Sequence, residues 1–120
     1  MEPLKAAKLA VKALDEKQGG DIRLLKTEEL TVLADYFVIC TANSTTHVRT
    51  LYDEVDKRLS MAGMPPLRRE GLRNSNWLLL DFGSVIVHIF QKEMRDFYGL
   101  ERLWSDATEL DISEIIKEEA

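Results

Sequence analysis

The chain has 120 residues, of which 45% are apolar and 31% charged, and its net charge is −5. This length and composition suit one globular domain with a two-layer core; they exclude a disordered chain, and no apolar run approaches the roughly 20 residues that span a bilayer. Residues 1–102 balance their charges and the acidic excess lies in 103–120, so no basic field is expected to give strong direct binding to nucleic acid.

The N-terminal half of the chain predicts two helices and two strands. Apolar residues repeat at helical spacing over 3–17 and again over 45–62, which predicts amphipathic helices. Between them, 21–26 and 35–42 predict strands, and the second is rich in the β-branched and aromatic residues that favour a sheet. The predicted order is therefore helix, strand, strand, helix.

The C-terminal half predicts three further strands and a third helix. Residues 67–71 predict a short, charged edge strand, 77–90 a β-hairpin, and 91–99 a helix. Taken with the first half, this order predicts an α/β fold, a mixed sheet of about five strands with helices on its faces.

The acidic residues mark a predicted boundary near the C-terminus. Residues 103–120 hold one basic and six acidic side chains. Residues 103–120 are therefore expected to be an acidic, frayed segment apart from a short helix over 113–118.

The register of the predicted hairpin follows from its turn. Gly83-Ser84 suits a two-residue turn of type II′, because glycine at the first central position accepts a positive φ. Side chains alternate along a strand, so one face should pair Phe82 with Val85, Leu80 with Val87 and Leu78 with Ile89. The other face should pair Asp81 with Ile86, Leu79 with His88 and Trp77 with Phe90. The first face is wholly apolar and predicts a helix-covered core, whereas the second mixes apolar and polar groups.

The mixed face has two interpretations. The pattern alone favours partial burial under another element, and the other interpretation is a docking surface. The predicted helix that follows extends this face, since Met94 and Tyr98 lie four residues apart beside the basic Lys92 and Arg95. Large apolar side chains rimmed by basic groups suit a protein interface, although Met94 and Tyr98 could equally fasten the helix to the sheet.

Residues that could support catalysis or bind a metal are sparse. Cys40 lies in an apolar strand, only His47 and His88 could activate it, and no nucleophile elbow surrounds it. The two histidines are far apart in sequence and lack nearby paired carboxylates, so we expect no catalytic residue, no metal site and no cofactor. A single cysteine also fits a reducing compartment, and the lysines near the N-terminus interrupt any signal-peptide-like segment, so we expect a cytoplasmic protein.

A divergent Mg²⁺-dependent nucleotidyltransferase is the alternative function. Its metal needs two carboxylates one residue apart in a strand, and only Asp81 occupies such a position. The Asn43-Ser44 turn would supply the helix N-terminus that binds an anion. Because the second carboxylate is missing, we expect Asn43-Ser44 to act as a helix cap.

Several segments together resemble the ribosomal silencing factor family, also called the Iojap-like or RsfS family. They are 34–44, 77–83 and 87–90, followed by Arg95, Phe97, Tyr98, Leu100, Glu101, Leu103, Trp104, Asp106 and Ala107. The resemblance covers essentially residues 3–107, which implies a single α/β domain at 1–107 and an acidic C-terminal tail at 108–120. It implies a fold related to nucleotidyltransferases without their activity, and it implies a homodimer.

The resemblance also implies a function and a set of contact residues. Members bind the large ribosomal subunit through its universal ribosomal protein number fourteen and sterically block joining of the small subunit, which represses translation. Homologues in organelles assist large-subunit assembly. By position in the motif, the partner-facing residues would be Trp77, Leu79, Lys92, Met94 and Tyr98. The resemblance thus favours the docking interpretation of the mixed face over partial burial.

Overall fold

The computed structural model describes residues 2–27, 34–71, 77–93 and 107–117. Its elements in chain order are α1 Pro3–Glu16, β1 Gly20–Lys26, β2 Tyr36–Ala42, α2 Thr45–Met61, β3 Arg68–Glu70, β4 Trp77–Asp81, β5 Val85–Gln91, β6 Thr108–Leu110 and α3 Ser113–Lys117. The predicted α/β class and the predicted helices and strands up to residue 90 are confirmed within a few residues. The predicted helix over 91–99 lies outside the described residues beyond Glu93.

The strands form a mixed sheet in the order β3-β4-β5-β2-β1-β6 within the described part of the chain. Strands β2 and β5 are parallel, with Tyr36 opposite Val85 and Ala42 opposite Gln91, and the other neighbours are antiparallel. This parallel pair lies at the centre of the sheet. Parallel strands of this kind need apolar cover on both faces, which explains why β2 and β5 consist mainly of apolar residues.

The three described helices pack on one face of the sheet and form the first core with it. The predicted clean face of the hairpin lies here and is confirmed, because all six of its residues are buried: Leu78, Leu80, Phe82, Val85, Val87 and Ile89. Alanines of α1 at positions 6, 7, 10 and 13 are fully buried, and their small side chains allow the helix to approach closely. None of the described helices combines the length and apolar character that a bilayer crossing requires.

The start of α2 is held by side chains of the preceding turn. Ser44 Oγ accepts a hydrogen bond from the His47 backbone N–H at 3.1 Å, so Ser44 is the helix cap. His47 Nδ1 accepts from the Asn43 N–H at 3.0 Å, and its Nε2 lies 2.9 Å from the Lys17 carbonyl oxygen. With Nδ1 as acceptor, the Nε2–H group donates a hydrogen bond to the Lys17 carbonyl oxygen. The ring therefore ties this turn to the end of α1.

The C-terminal segment adds a sixth strand to the described sheet, which the sequence predicted to have about five. Strand β6 pairs with β1, placing Leu110 opposite Leu24, and Arg23 Nη1 lies 3.2 Å from Glu109 Oε1. Beyond it, Ile115 of α3 is buried against the first core. Residues 108–117 are thus packed rather than frayed, and whether 108–120 counts as a separate tail stays a prediction.

The opposite edge strand is short and charged, as predicted for 67–71. All three residues of β3 are exposed, and Arg69 Nε lies 3.0 Å from Asp56 Oδ2 on α2. Arg68 Nη2 lies 3.5 Å from Asp81 Oδ2 of the neighbouring strand β4. These ion pairs hold the edge strand against both the helix and the sheet.

Gly19 allows α1 to end directly against the sheet. A Cβ at this position would lie 2.4 Å from Cys40 Sγ, a distance that forces neighbouring atoms to move. We expect Gly19→Ala to lower the free energy of unfolding by about 1–3 kcal/mol, measured by urea denaturation. Gly20→Ala is the matched control, since its Cβ would meet Thr41 at an ordinary 3.4 Å. If Gly19→Ala destabilises the Cys40→Ala variant as much as it destabilises the parent protein, the clash with Cys40 Sγ is not the cause of the loss of stability.

Ile115 should contribute to stability although it lies in the segment predicted to be a tail. It is 5% exposed and packs against the first core, so Ile115→Ala should lower the free energy of unfolding by about 2 kcal/mol or more. The exposed neighbour Glu114 provides the control, and Glu114→Ala should leave stability nearly unchanged. Equal stability of the two variants in chemical denaturation would contradict the packing of α3.

Candidate functional site

The register of the hairpin is the one that its turn predicted. Trp77 lies opposite Phe90, Leu79 opposite His88 and Asp81 opposite Ile86. The Phe82 N–H donates to the Val85 carbonyl oxygen at 2.9 Å, and Gly83 has a φ of +90°. Asp81 Oδ1 accepts from the Gly83 N–H at 2.8 Å. The turn thereby fixes which side chains of β4 and β5 share the mixed face.

The mixed face is covered at its centre and half-exposed along β4. A second buried cluster lies here, formed by Leu25, Ala34, Phe37, Ile39 and Phe90, with Trp77, Ile86 and Ala107 packed against it. Side chains from β1, β2 and β5 thus supply the buried part, whereas Trp77 and Leu79 of β4 are only half-buried. Partial burial and exposure therefore coexist on this face, on different strands.

Four rings are packed together across β2, β4 and β5. The Trp77 and Phe90 rings are stacked, with centroids 5.1 Å apart and planes 22° apart. His88 is stacked with Phe90 at 5.9 Å and 5°, and with Trp77 at 6.2 Å and 24°. Phe37 meets the His88 ring edge-on at 5.5 Å and 80°. The half-buried indole of Trp77 therefore rests on rings that are themselves buried.

His88 is uncharged at neutral pH. Its side chain is only 7% exposed, and desolvation lowers its pKa from 6.5 to about 4, because burial penalises the imidazolium ion. The imidazole consequently behaves as one more flat ring of the cluster. At 7% exposure it lies beneath the surface and does not form part of it.

Three of the five predicted contact residues lie within the described structure. Trp77 and Leu79 share the mixed face of β4, two residues apart. Lys92 is exposed and comes two residues after Phe90, the partner of Trp77 across the hairpin. The register therefore brings Lys92 to the same end of the sheet as Trp77. Met94 and Tyr98 lie outside the described residues.

The residues of the nucleotidyltransferase alternative are not brought together. Asp81 pairs with Ile86, and Ile86 pairs with Phe37, so Asp81 lies level with the start of β2. The Asn43-Ser44 turn follows the other end of β2. At roughly 3.3 Å per residue this separation is about 20 Å along the strand. The described residues also contain no group of three or more His, Cys, Asp or Glu side chains that could hold a metal. Asp81 and the Asn43-Ser44 turn therefore do not form one site.

The carboxylate of Asp81 is instead engaged in structural contacts. One oxygen accepts from the Gly83 N–H and the other faces the Arg68 guanidinium. The thiol of Cys40 is fully buried in the first core, as its apolar strand predicted.

Comparisons with known proteins identify one family. The family model for "Ribosomal silencing factor during starvation" matches residues 1–120. A ribosomal silencing factor from Bacillus subtilis is 38% identical over 88% of this chain and 89% of its own. A mouse protein named "Mitochondrial assembly of ribosomal large subunit protein 1" is 31% identical over 81% of this chain and 44% of its own. A crystal structure of a Chromobacterium violaceum protein superposes with a TM-score of 0.85 at 36% identity, covering 88% of each chain.

Burial of His88 should make the fold less stable in mild acid. The unfolded chain binds a proton at His88 near pH 6.5 and the folded chain only near pH 4, so stability is full above pH 6.5 and falls between these values. The loss should reach about 3 kcal/mol at pH 4. Chemical denaturation as a function of pH measures it, and His88→Phe should remove this part of the slope while carboxylate titrations remain. Parallel slopes in the two proteins would contradict a buried neutral imidazole.

Proposed function

The chain belongs to the ribosomal silencing factor family, and on this premise we propose that it binds the large ribosomal subunit and sterically prevents the small subunit from joining. The result would be repression of translation. The observation that carries the proposal is the half-exposed apolar pair Trp77 and Leu79, held on a sheet face whose neighbouring rings are buried. Two relatives support a ribosomal partner through their names, and the mouse relative's name specifies the large subunit.

We assign the contact to a docking surface made of Trp77, Leu79, Lys92, Met94 and Tyr98. Its partner would be the universal ribosomal protein number fourteen of the large subunit. Aromatic anchors that are partly buried in their own chain lose little conformational entropy on binding. The exposed charge of Lys92 beside them suits the polar rim that surrounds the apolar centre of an interface.

The proposed mechanism requires affinity and bulk and no chemical step. The domain has a radius of gyration of 13.0 Å and extents of 31 × 30 × 28 Å. A body of this size, bound where the two ribosomal subunits meet, would occupy space that the small subunit needs. We propose accordingly that the protein is not an enzyme, requires no cofactor, and acts in the cytoplasm, with a homodimer as a further form.

Charge substitutions in the docking surface should abolish binding to the large subunit. Trp77→Glu puts a carboxylate in the apolar centre of the surface, and Lys92→Glu reverses the charge at its rim. Loss of a central aromatic contact costs about 2 kcal/mol or more, roughly thirtyfold in affinity. Co-sedimentation with purified large subunits measures the loss. Lys92 is exposed, so its variant should keep the melting temperature of the parent protein.

Two exposed residues away from the docking surface serve as controls. Met61 is 78% exposed at the end of α2 and Lys57 is exposed on the same helix, so Met61→Glu and Lys57→Glu should bind as the parent does. In a purified system of both subunits, the parent and the controls should inhibit joining while the docking-surface variants do not. Unchanged binding of both Trp77→Glu and Lys92→Glu would refute the docking surface; binding without inhibition would refute the steric mechanism.

A further inference from the structure

Trp77 has its orientation set by rings that come from other positions in the chain. Its indole lies nearly parallel to Phe90, directly opposite on β5, and to His88, diagonally opposite on the same strand. A tryptophan that is half-buried on a sheet face can adopt several rotamers. Two stacked neighbours favour the rotamer that keeps the planes parallel, and each stack changes an equilibrium constant by about two- to tenfold.

His88 is in turn held from the side that faces the sheet centre. The Phe37 ring of β2 meets it edge-on at 5.5 Å, which restricts rotation of the imidazole about its own χ2 axis. Phe37 and Phe90 are 7% and 0% exposed. The four rings thus connect the centre of the sheet, through His88, to the one ring of the group that is half-exposed.

His88 itself has no access to a partner of ordinary size. At 7% exposure it is covered, and as a neutral ring it presents no charge that a partner could recognise at long range. Among the described residues, its ring contacts with Trp77, Phe90 and Phe37 are the route by which it can influence binding.

We propose that His88 is a positioning residue of the docking surface, whose flat ring holds the Trp77 indole in the orientation that the partner binds. This inference rests on the proposed function, because it concerns the same surface. Its physical basis is preorganisation: an anchor that is already ordered before binding gives up less conformational freedom in the complex.

Two substitutions separate positioning from simple support of the fold. His88→Phe keeps a flat ring at the position. His88→Leu fills a similar volume with an apolar side chain but removes the stacking plane. Should the branched side chain not be accommodated, the unbranched His88→Met provides a second ring-free variant, since methionine adapts to irregular spaces.

The experiment measures the order of Trp77 and the affinity for large subunits in the same proteins. The indole N–H resonance of Trp77, identified by its loss in Trp77→Phe, reports the ring's environment in solution. With His88→Leu we expect this resonance to shift and broaden, the melting temperature to be retained, and the affinity to fall about two- to tenfold. With His88→Phe we expect the resonance to stay sharp and the affinity to match the parent protein.

The possible results distinguish this inference from the proposed function. If His88→Leu or His88→Met binds as tightly as the parent while Trp77→Glu does not bind, the positioning role is refuted and the docking surface stands. If the ring-free variants and His88→Phe weaken binding equally, a flat ring is not what matters and the inference also fails. If Trp77→Glu itself binds normally, the docking surface is refuted and the positioning role with it.

Discussion

The fold depends on the parallel pairing of β2 and β5 in the middle of the sheet. Because this pair is flanked on both sides by other strands, it has no access to water at its edges and needs apolar cover on both faces. Alternate residues of β2 meet that need, with Val38 and Cys40 in the helix-covered core and Phe37 and Ile39 in the second cluster. The same alternation in β5 brings His88 and Phe90 beneath Trp77. Trp77 therefore lies at the margin of a core that the central strands require.

Local sequence signals allowed the hairpin to be predicted residue by residue. Strand β6 was not predicted, because it forms by pairing with β1, which is distant in sequence. Gly83-Ser84 specifies a two-residue turn, and a turn of known length fixes the whole register. Thr108-Glu109-Leu110 has no such signal: it is three residues long, carries one apolar side chain and lies in an acidic stretch. Its strand conformation depends on pairing with β1 and on the contact between Glu109 and Arg23. Neither can be read from residues near it in the sequence.

Some features of the candidate site could likewise be predicted from local sequence, and others depend on distant parts of the chain. Trp77 and Leu79 followed from alternation along β4, and Lys92 from the predicted helix and the family resemblance. The burial of His88 could not be predicted from the hairpin alone. The Phe37 ring that packs against it comes from β2, and β2 meets the hairpin only through its parallel pairing with β5. A pattern within one hairpin identifies which side chains share a face; the depth of each depends on strands from elsewhere in the chain.

The two edge strands have a consequence for self-association through the sheet. β3 and β6 are each three residues long, so each offers only about 10 Å of backbone to a foreign strand, and each carries charged side chains tied to the body of the domain through Arg69–Asp56 and Glu109–Arg23. Short, charged edges are how natural sheets resist growing by strand addition. The apolar centre of this sheet would otherwise favour aggregation. The edge strands β3 and β6 oppose it without reducing the half-exposed apolar area on the face of β4.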